Sequence, residues 1–183
     1  SRSMLAEDVR PNRLARAKLA ALDLLKVAQT DRLGLVAFAG SAFLQCPLTV
    51  DDVAFRQSVE ALDTGIIPQG GTALAAAIQV ALDAFKDENN FKILVILTDG
   101  EDHDSGATSA AALAAKAGMR IFTVGVGTPN GEVLSVTDDK GTVTYVKDEQ
   151  GQVVKSRLNE KLLQEIAQAT SGAYLPLRSA QAM

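Results

Sequence analysis

The fold is decided by one stretch, Lys92-Ile93-Leu94-Val95-Ile96-Leu97-Thr98-Asp99-Gly100, where a run of branched apolar residues ends in a carboxylate and a glycine. This pattern predicts a strand buried on both faces, in the middle of a parallel sheet covered by helices. Ligands of such sheets bind beyond the carboxyl ends of the strands, where Asp99 lies. Gly100 lets the backbone turn away, so Asp99 can present oxygen to a divalent cation such as Mg²⁺. The alternative is that Asp99 only caps a helix or starts a turn.

Upstream of this strand, helical and extended patterns alternate. A helical pattern with one apolar face runs from residue 11 to about residue 28. Residues 33–39 predict a strand, which Gly40-Ser41 turns into a second strand over 42–46. Pro47 is expected to end that second strand. The sequence therefore predicts a helix followed by a β-hairpin.

Two more helices are expected before residue 92. Asp51 or Asp52 can cap a helix that ends near Leu62. A glycine-rich loop over 65–72 follows, and Thr72 is predicted as the N-cap of the next helix. The apolar stripe of that helix comprises Leu74, Ile78, Ala81, Leu82 and Phe85.

Downstream of residue 98 the alternation continues and then pauses. An alanine-rich helix from about 105 to 117 ends at Gly118 and leads into a strand over 120–126. Three turn signals then separate short alternating runs, which predict an exposed antiparallel meander inserted at 129–157. A helix capped by Asn159 and ended by Gly172 follows, with Leu158 and Leu163 placed for a hydrophobic staple, and then a last strand over 173–176.

These elements predict an α/β fold with a doubly wound, mainly parallel, Rossmann-like sheet and helices on both faces. The predicted domain covers 1–177, and 178–183 form a tail. No strand precedes the first helix, although a right-handed crossover in such a sheet requires one. The sequence therefore predicts a sheet that lacks its first central strand.

Composition excludes several classes of function. The chain has 183 residues and a net charge of −4, which is an acidic balance for a nucleic-acid-binding domain. Cys46 is the single cysteine, so neither an internal disulfide nor a cysteine-rich zinc site can form. No apolar run of membrane-spanning length and no signal peptide is present, so the chain itself is expected to be soluble. Because it starts at Ser1 rather than at methionine, we expect it to be a piece of a longer parent.

Three polar stretches, Ser1-Arg2-Ser3, Gly70-Gly71-Thr72 and Thr98-Asp99-Gly100, each stand just before a helix or loop. Together they resemble the metal-ion-dependent adhesion site of von Willebrand factor type A domains. That site combines Asp-x-Ser-x-Ser after the first strand, a threonine from a second loop and an aspartate from a third. The resemblance covers nearly the whole chain, including the order of its elements. It implies that Ser1, Ser3, Thr72 and Asp99 are metal ligands.

The resemblance also implies a function and a cellular setting. It implies a Mg²⁺ ion, with another divalent cation as an alternative, that binds an acidic side chain of a partner protein. Val9-Arg10-Pro11-Asn12-Arg13, the residues 98–103 and the inserted meander resemble the Bat-type, aerotolerance-related branch of bacterial proteins. That branch carries the domain beside membrane helices, so the parent is expected to be anchored in the cell envelope with the domain outside the cytoplasm.

The chain departs from this pattern at its start. The leading aspartate would lie two residues before Ser1 and is absent, together with the strand that carries it. We therefore expect Mg²⁺ to bind weakly or not at all, since a carboxylate is lost and the amino group of Ser1 adds positive charge. The missing strand is also expected to leave an unpaired slot between the strands at 33–39 and 92–98. The chain is therefore expected either to associate with another copy through that slot or to fold poorly, because unpaired strand edges are costly and pair with other chains.

Other functions remain open from the residues alone. A metal-assisted hydrolase at the same strand end would need a general base, for which Glu101 and the single histidine, His103, are the candidates. His103 is interpreted first as a solvated loop residue that helps start the next helix. Asp102 and Asp104 are interpreted first as charges that favour this helix start, with a second cation site as the alternative. Gly70-Gly71-Thr72 could bind phosphate but lacks the lysine of a P-loop. A metal-free interaction domain is the third alternative.

Overall fold

A computed structural model of the chain describes residues 1–67, 70–85, 90–102, 106–137, 143–146 and 150–177. A short 3₁₀ turn, Arg2–Leu5, opens the chain. The helices are α1 (Arg13–Leu24), α2 (Asp52–Glu60), α3 (Leu74–Ala84), α4 (Ala107–Lys116) and α5 (Glu160–Ala169). The strands are β1 (Leu33–Phe38), β2 (Ala42–Thr49), β3 (Lys92–Thr98), β4 (Met119–Val126), β5 (Glu132–Val133), β6 (Ser135–Thr137), β7 (Val143–Tyr145), β8 (Lys155–Ser156) and β9 (Tyr174–Leu177).

The centre of the fold is a parallel sheet in the order β3-β4-β9. Ile96 lies opposite Thr123, and Val124 lies opposite Leu175, so β4 is paired on both sides. β1 and β2 form a separate antiparallel hairpin. The α/β fold with a parallel sheet is thereby confirmed.

Helices cover both faces of this sheet because neighbouring residues of a strand point to opposite sides. Ile96 of β3 belongs to a buried cluster with residues of α3, α4 and α5. Leu97, the next residue, packs against the buried cluster formed by α1 and α2. None of the described helices is both long enough and apolar enough to cross a membrane.

A channel of about 660 Å³ separates β1 from β3, and the two strands do not pair in the described part of the chain. The N–H of Ala73 donates to the carbonyl of Ala39 at 2.7 Å, so α3 starts where β1 ends, and it leads back to the start of β3. β1 and β3 therefore run in the same direction with a gap between them. No strand precedes α1 among the described residues, as the sequence predicted.

Because of the channel, β3 is less buried than the sequence predicted. Its predicted bounds are confirmed, but the prediction that it is buried on both faces is wrong. Ile93 is 55% exposed, and Leu94, Val95 and Leu97 are only half-buried. The reason is that these side chains border the open channel instead of a neighbouring strand.

Three local predictions also need correction. α1 ends at Leu24 rather than near Ala28, because the next amides bond three residues back in tight turns. β2 continues through Pro47 to Thr49, since the register with β1 shifts beside Gly34 and leaves Pro47 without a ladder partner. Thr72 does not cap α3. Ala73 takes that position, with no side-chain cap.

The inserted meander consists of two short pairs, β5 with β8 and β6 with β7. It is not wholly exposed as predicted, because Leu134 and Ser156 are buried. The predicted tail at 178–183 and parts of the turns at 138–142 and 147–149 lie outside the described residues. The bounds of the domain and of the meander stay predictions.

Candidate metal site

Asp99 follows the last residue of β3 and is only 1% exposed. Its two carboxylate oxygens have different surroundings. Oδ2 accepts a hydrogen bond from Nη1 of Arg13 at 3.1 Å, and the hydroxyl of Ser156 donates to it at 3.4 Å. Oδ1 accepts the backbone N–H of Glu101 at 3.3 Å, a long hydrogen bond. Oδ2 is therefore the oxygen held by the protein.

Gly100 makes the predicted turn away from β3. Its φ of +72° is left-handed, and a Cβ there would lie 2.9 Å from the carbonyl oxygen of Asn159. The N–H of Asn159 donates to the carbonyl of Asp99 at 2.8 Å. The start of α5 therefore packs directly against the backbone of the candidate site and fixes Asp99.

Arg13 is the central residue of the site and is fully buried. Its Nε and Nη2 donate to the two carboxylate oxygens of Asp8 at 2.8 Å and 2.7 Å, a bidentate pair. Its Nη1 donates to Asp99 and to the hydroxyl of Ser156. This role was not predicted from the sequence, because Arg13 stands at the start of a helical pattern, where a charged residue is ordinarily exposed.

A signal for Arg13 was present in the sequence. Arg13, Ala17, Ala21 and Leu25 follow one another at four-residue spacing and form the buried stripe of α1. A charged residue on a buried stripe requires an oppositely charged partner, which predicts nearby carboxylates. The sequence could not show which carboxylates these are, because Asp99 lies 86 residues away along the chain.

Asp8 completes the ion pair. Burial acts to raise the pKa of Asp8, but the hydrogen bonds and charge of Arg13 outweigh it, and bonds from the N–H and hydroxyl of Thr128 add to them. The pKa of Asp8 therefore lies below its ordinary value. Burial acts to lower the pKa of Arg13, but Asp8, Asp99 and Glu101 together raise it, so the guanidinium stays charged.

Gly127, just after β4, makes room for this guanidinium. Its φ is +125°, and a Cβ at this position would lie 2.7 Å from Nε of Arg13. Only glycine combines that backbone conformation with so close an approach. The glycine at the exit from β4 is thereby part of the Arg13 environment.

Three of the four predicted ligands line the channel, and the fourth is hydrogen-bonded to one of them. Ser1, Thr72 and Asp99 line the channel, and the hydroxyls of Ser1 and Ser3 are 2.9 Å apart. Ser3, Thr72 and Asp99 are buried. Residues with hydroxyl or carboxylate oxygens from three separate chain segments therefore line this one channel. Their assignment as metal ligands stays a prediction.

Donor type and charge decide how well this region suits a cation. Hydroxyl and carboxylate oxygens fit a small hard divalent ion. Asp8 and Asp99 exceed Arg13 by one negative charge. The donor set therefore fits a cation that is held weakly.

The remaining candidates from the sequence are Glu101, His103 and Asp104. Within the described ranges, no group of three or more His, Cys, Asp and Glu side chains could hold a metal. The carboxylate of Glu101 accepts the backbone N–H of Arg157 at 2.8 Å. His103 and Asp104, the candidates for catalysis and for a second cation site, lie outside the described residues.

Comparison with known proteins supplies close structural relatives. The chain has a TM-score of 0.93 and 38% identity to BatB from Bacteroides thetaiotaomicron, covering 98% of this chain and 87% of that one. An aerotolerance-related membrane protein from Bacteroides fragilis gives a TM-score of 0.90 and 37% identity, with 96% and 86% covered. The resemblance to the Bat-type branch is thereby confirmed.

More distant relatives extend this comparison. A curated UPF0353 protein from Mycolicibacterium paratuberculosis is 30% identical over 94% of this chain, and the chain spans about half, 51%, of its length. Proximal thread matrix protein 1 from the mussel byssus, whose structure has a zinc-occupied MIDAS motif, shares the fold with a TM-score of 0.60. It covers 94% of this chain and 39% of that one at 18% identity, so the likeness is one of fold alone.

The family model for the von Willebrand factor type A domain matches residues 1–101. That range contains the hairpin, the channel and all four predicted ligands. The chain therefore belongs to the von Willebrand factor type A domain family.

Proposed function

We propose that this chain is a protein-interaction module that binds an acidic side chain of a partner protein through a divalent cation, Mg²⁺ first among candidates. Ser1, Ser3, Thr72 and Asp99 would hold the cation. When bound, the cation supplies an electrophilic centre with an open position for the partner's carboxylate. The protein's own groups fix the ligands and bury them.

One observation carries the proposal. The carboxylate of Asp99 is buried at the end of β3, with Oδ2 engaged by Arg13 while Oδ1 accepts only the long bond from Glu101 among the bonds described above. A buried carboxylate oxygen with such weak pairing is stabilised by a cation. Ser1 and Thr72 line the same channel as Asp99, and their hydroxyls are suitable further donors.

A binding role fits the site better than an enzymatic one. Hydrolysis needs a general base within reach of an attacking water. Glu101 is the described candidate, and its carboxylate already accepts the N–H of Arg157. We therefore propose that the module is not an enzyme.

The relatives support a place in the bacterial envelope. One structural relative is described as an aerotolerance-related membrane protein. We propose that the parent of this chain is anchored in a membrane and holds the domain outside the cytoplasm.

A cation titration tests the metal site. We expect Mn²⁺, a paramagnetic substitute for Mg²⁺, to broaden the NMR signals of residues around Asp99 with weak affinity. Asp99→Asn should remove this effect, and so should Thr72→Val, which deletes a hydroxyl with little change of shape. Glu101→Gln serves as the control, because it removes a neighbouring carboxylate that is outside the predicted ligand set.

Three results would contradict the proposal. Broadening that survives Asp99→Asn would place the cation elsewhere. An equal loss in Glu101→Gln would favour the hydrolase or a diffuse acidic surface. If a partner binds equally with and without a chelator, the module works through a metal-free surface.

The channel favours a second mode of association, and we propose that copies of the chain self-associate through it. The facing edges of β1 and β3 are both unpaired in the described structure, and the gap between them is apolar. An extended segment of a second copy can pair with both edges, which no other kind of element can do.

A further inference from the structure

The buried ion pair between Asp8 and Arg13 has no role in the ligand set proposed above, yet it contacts that set directly. Arg13 binds Asp8 through two hydrogen bonds and reaches Asp99 with its remaining Nη1. All three side chains are at most 5% exposed. The contact therefore lies in the interior, where salt screens charges little.

Charge explains why two carboxylates surround one guanidinium. An Arg13 that faced Asp99 alone would cancel its negative charge and repel a cation. Because Asp8 neutralises Arg13 through a bidentate pair, the guanidinium can hold Asp99 while the site keeps one negative charge. Asp8 thus separates the orientation of Asp99 from the loss of its charge.

We propose that Asp8 and Arg13 form a charge-neutral clamp that positions Asp99, so that its Oδ1 faces the cation and its Oδ2 does not. This inference rests on the proposed cation site. Asp8 and Arg13 are positioning residues, since neither belongs to the ligand set. Partners behind a metal ligand set both its orientation and its affinity.

The clamp is itself held from three directions. The N–H and hydroxyl of Thr128, after β4, donate to Oδ2 of Asp8 at 2.8 Å and 3.0 Å. Ser156 of the meander accepts from Arg13 and donates to Asp99. Arg13 begins α1. The clamp therefore joins the end of β3, the exit of β4 and the meander in one network.

The test compares Asp8→Asn with Thr128→Val. Asp8→Asn keeps the shape but removes the charge that neutralises Arg13, so cation affinity should fall by about 10- to 100-fold. Thr128→Val removes one of the hydrogen bonds to Asp8 without changing any charge, so affinity should change by less than about threefold. Mn²⁺ titration of each variant gives the affinity, and thermal melting shows whether each variant is folded.

A second, metal-free measurement keeps the test independent of the titration. In the unsubstituted chain the N–H protons of the Arg13 guanidinium should give separate NMR signals, because the hydrogen bonds to Asp8 and Asp99 stop the rotation of the guanidinium. Asp8→Asn should merge or broaden them. Averaged Arg13 signals in the unsubstituted chain would overturn the clamp, whether or not Mn²⁺ binds.

The remaining outcomes distinguish the clamp from the cation site. If Mn²⁺ binds and Asp99→Asn abolishes binding, but Asp8→Asn leaves the affinity unchanged, the clamp is wrong and the cation site stands. If the Arg13 signals are separate but Mn²⁺ does not bind the unsubstituted chain, the proposed cation site is wrong. The role of the clamp in cation binding is then wrong as well.

Discussion

At the residue scale, the site depends on a few side chains whose environment differs from what their type suggests. Arg13 is fully buried, whereas arginine is usually exposed. Asp99 was predicted from the sequence as a metal ligand because it follows an apolar strand and matches the family's aspartate, and this role stays a prediction. The role of Arg13 was not predicted, since it depends on carboxylates that only the folded chain brings near.

The low pKa of Asp8 gives a pH-dependence of stability. A carboxyl group whose pKa is lower in the folded chain stabilises it fully above the unfolded value, about 4. That contribution is lost as pH falls through the folded value. Acid unfolding followed by circular dichroism should therefore show stability falling below about pH 4, with a weaker fall in Asp8→Asn.

A matched control separates Asp8 from other carboxylates. Asp23 forms an exposed ion pair with Lys26 on the surface. Asp23→Asn should therefore show the same acid unfolding curve as the unsubstituted chain. Equal acid unfolding curves for the unsubstituted chain and Asp8→Asn would show that Asp8 does not contribute to the pH-dependence of stability.

Gly127 gives a second prediction at this scale. Gly127→Ala should destabilise the chain by about 2 to 3 kcal/mol, because its φ is +125° and the new methyl group meets the Arg13 guanidinium. Gly118 also has a positive φ, +76°, but a Cβ there meets nothing within 4 Å. Gly118→Ala should therefore cost about 1 kcal/mol. Urea unfolding measures both, and equal costs would exclude the contact with Arg13.

At the scale of elements, hydrophobic periodicity predicted the helices and the long strands, because burial of one face dominates their energies. The predicted ends of helices and strands were wrong where tertiary contacts determine them. Thr72 looked like the cap of α3, but the bond from Ala73 to Ala39 moved the helix start. Pro47 looked like a strand end, but the shifted register beside Gly34 accommodates it.

The start of α1 links element stability to the site, because Arg13 is its first residue. Asn12 caps this helix by accepting the N–H of Ala15 at 2.8 Å. Asn12→Ala should lower the free energy of unfolding by about 1 kcal/mol, whereas Asn12→Ser should retain most of it because serine can cap. Thermal or urea unfolding measures both. Equal losses in the two variants would mean that the side chain does not act as a cap.

At the scale of the whole molecule, the sequence predicted a mainly parallel sheet and the gap within it, because a helix without a preceding strand leaves a crossover unexplained. It did not predict that the gap is a continuous channel, since that depends on how α1 and α3 pack over it. The channel exposes apolar side chains at its border, including Ile93.

Self-association should therefore depend on the channel. Sedimentation velocity should show mass that increases with concentration, and Ile93→Lys should reduce it by placing a charge at the border. Val53 is an equally exposed apolar residue on α2 that does not line the channel, so Val53→Lys is the control. If the unsubstituted chain stays monomeric at all concentrations, the proposed self-association is wrong.

The open edge of β3 has one further consequence, for the exchange of amide hydrogens with solvent. Successive N–H groups of a strand point to opposite sides, so about half of those in β3 are directed to β4 and the others to the channel. Protection should therefore alternate residue by residue along β3, whereas β4 should be protected continuously where both β3 and β9 pair with it, over residues 123–125. A segment that enters the channel would slow exchange at every second residue of β3 and leave the others unchanged.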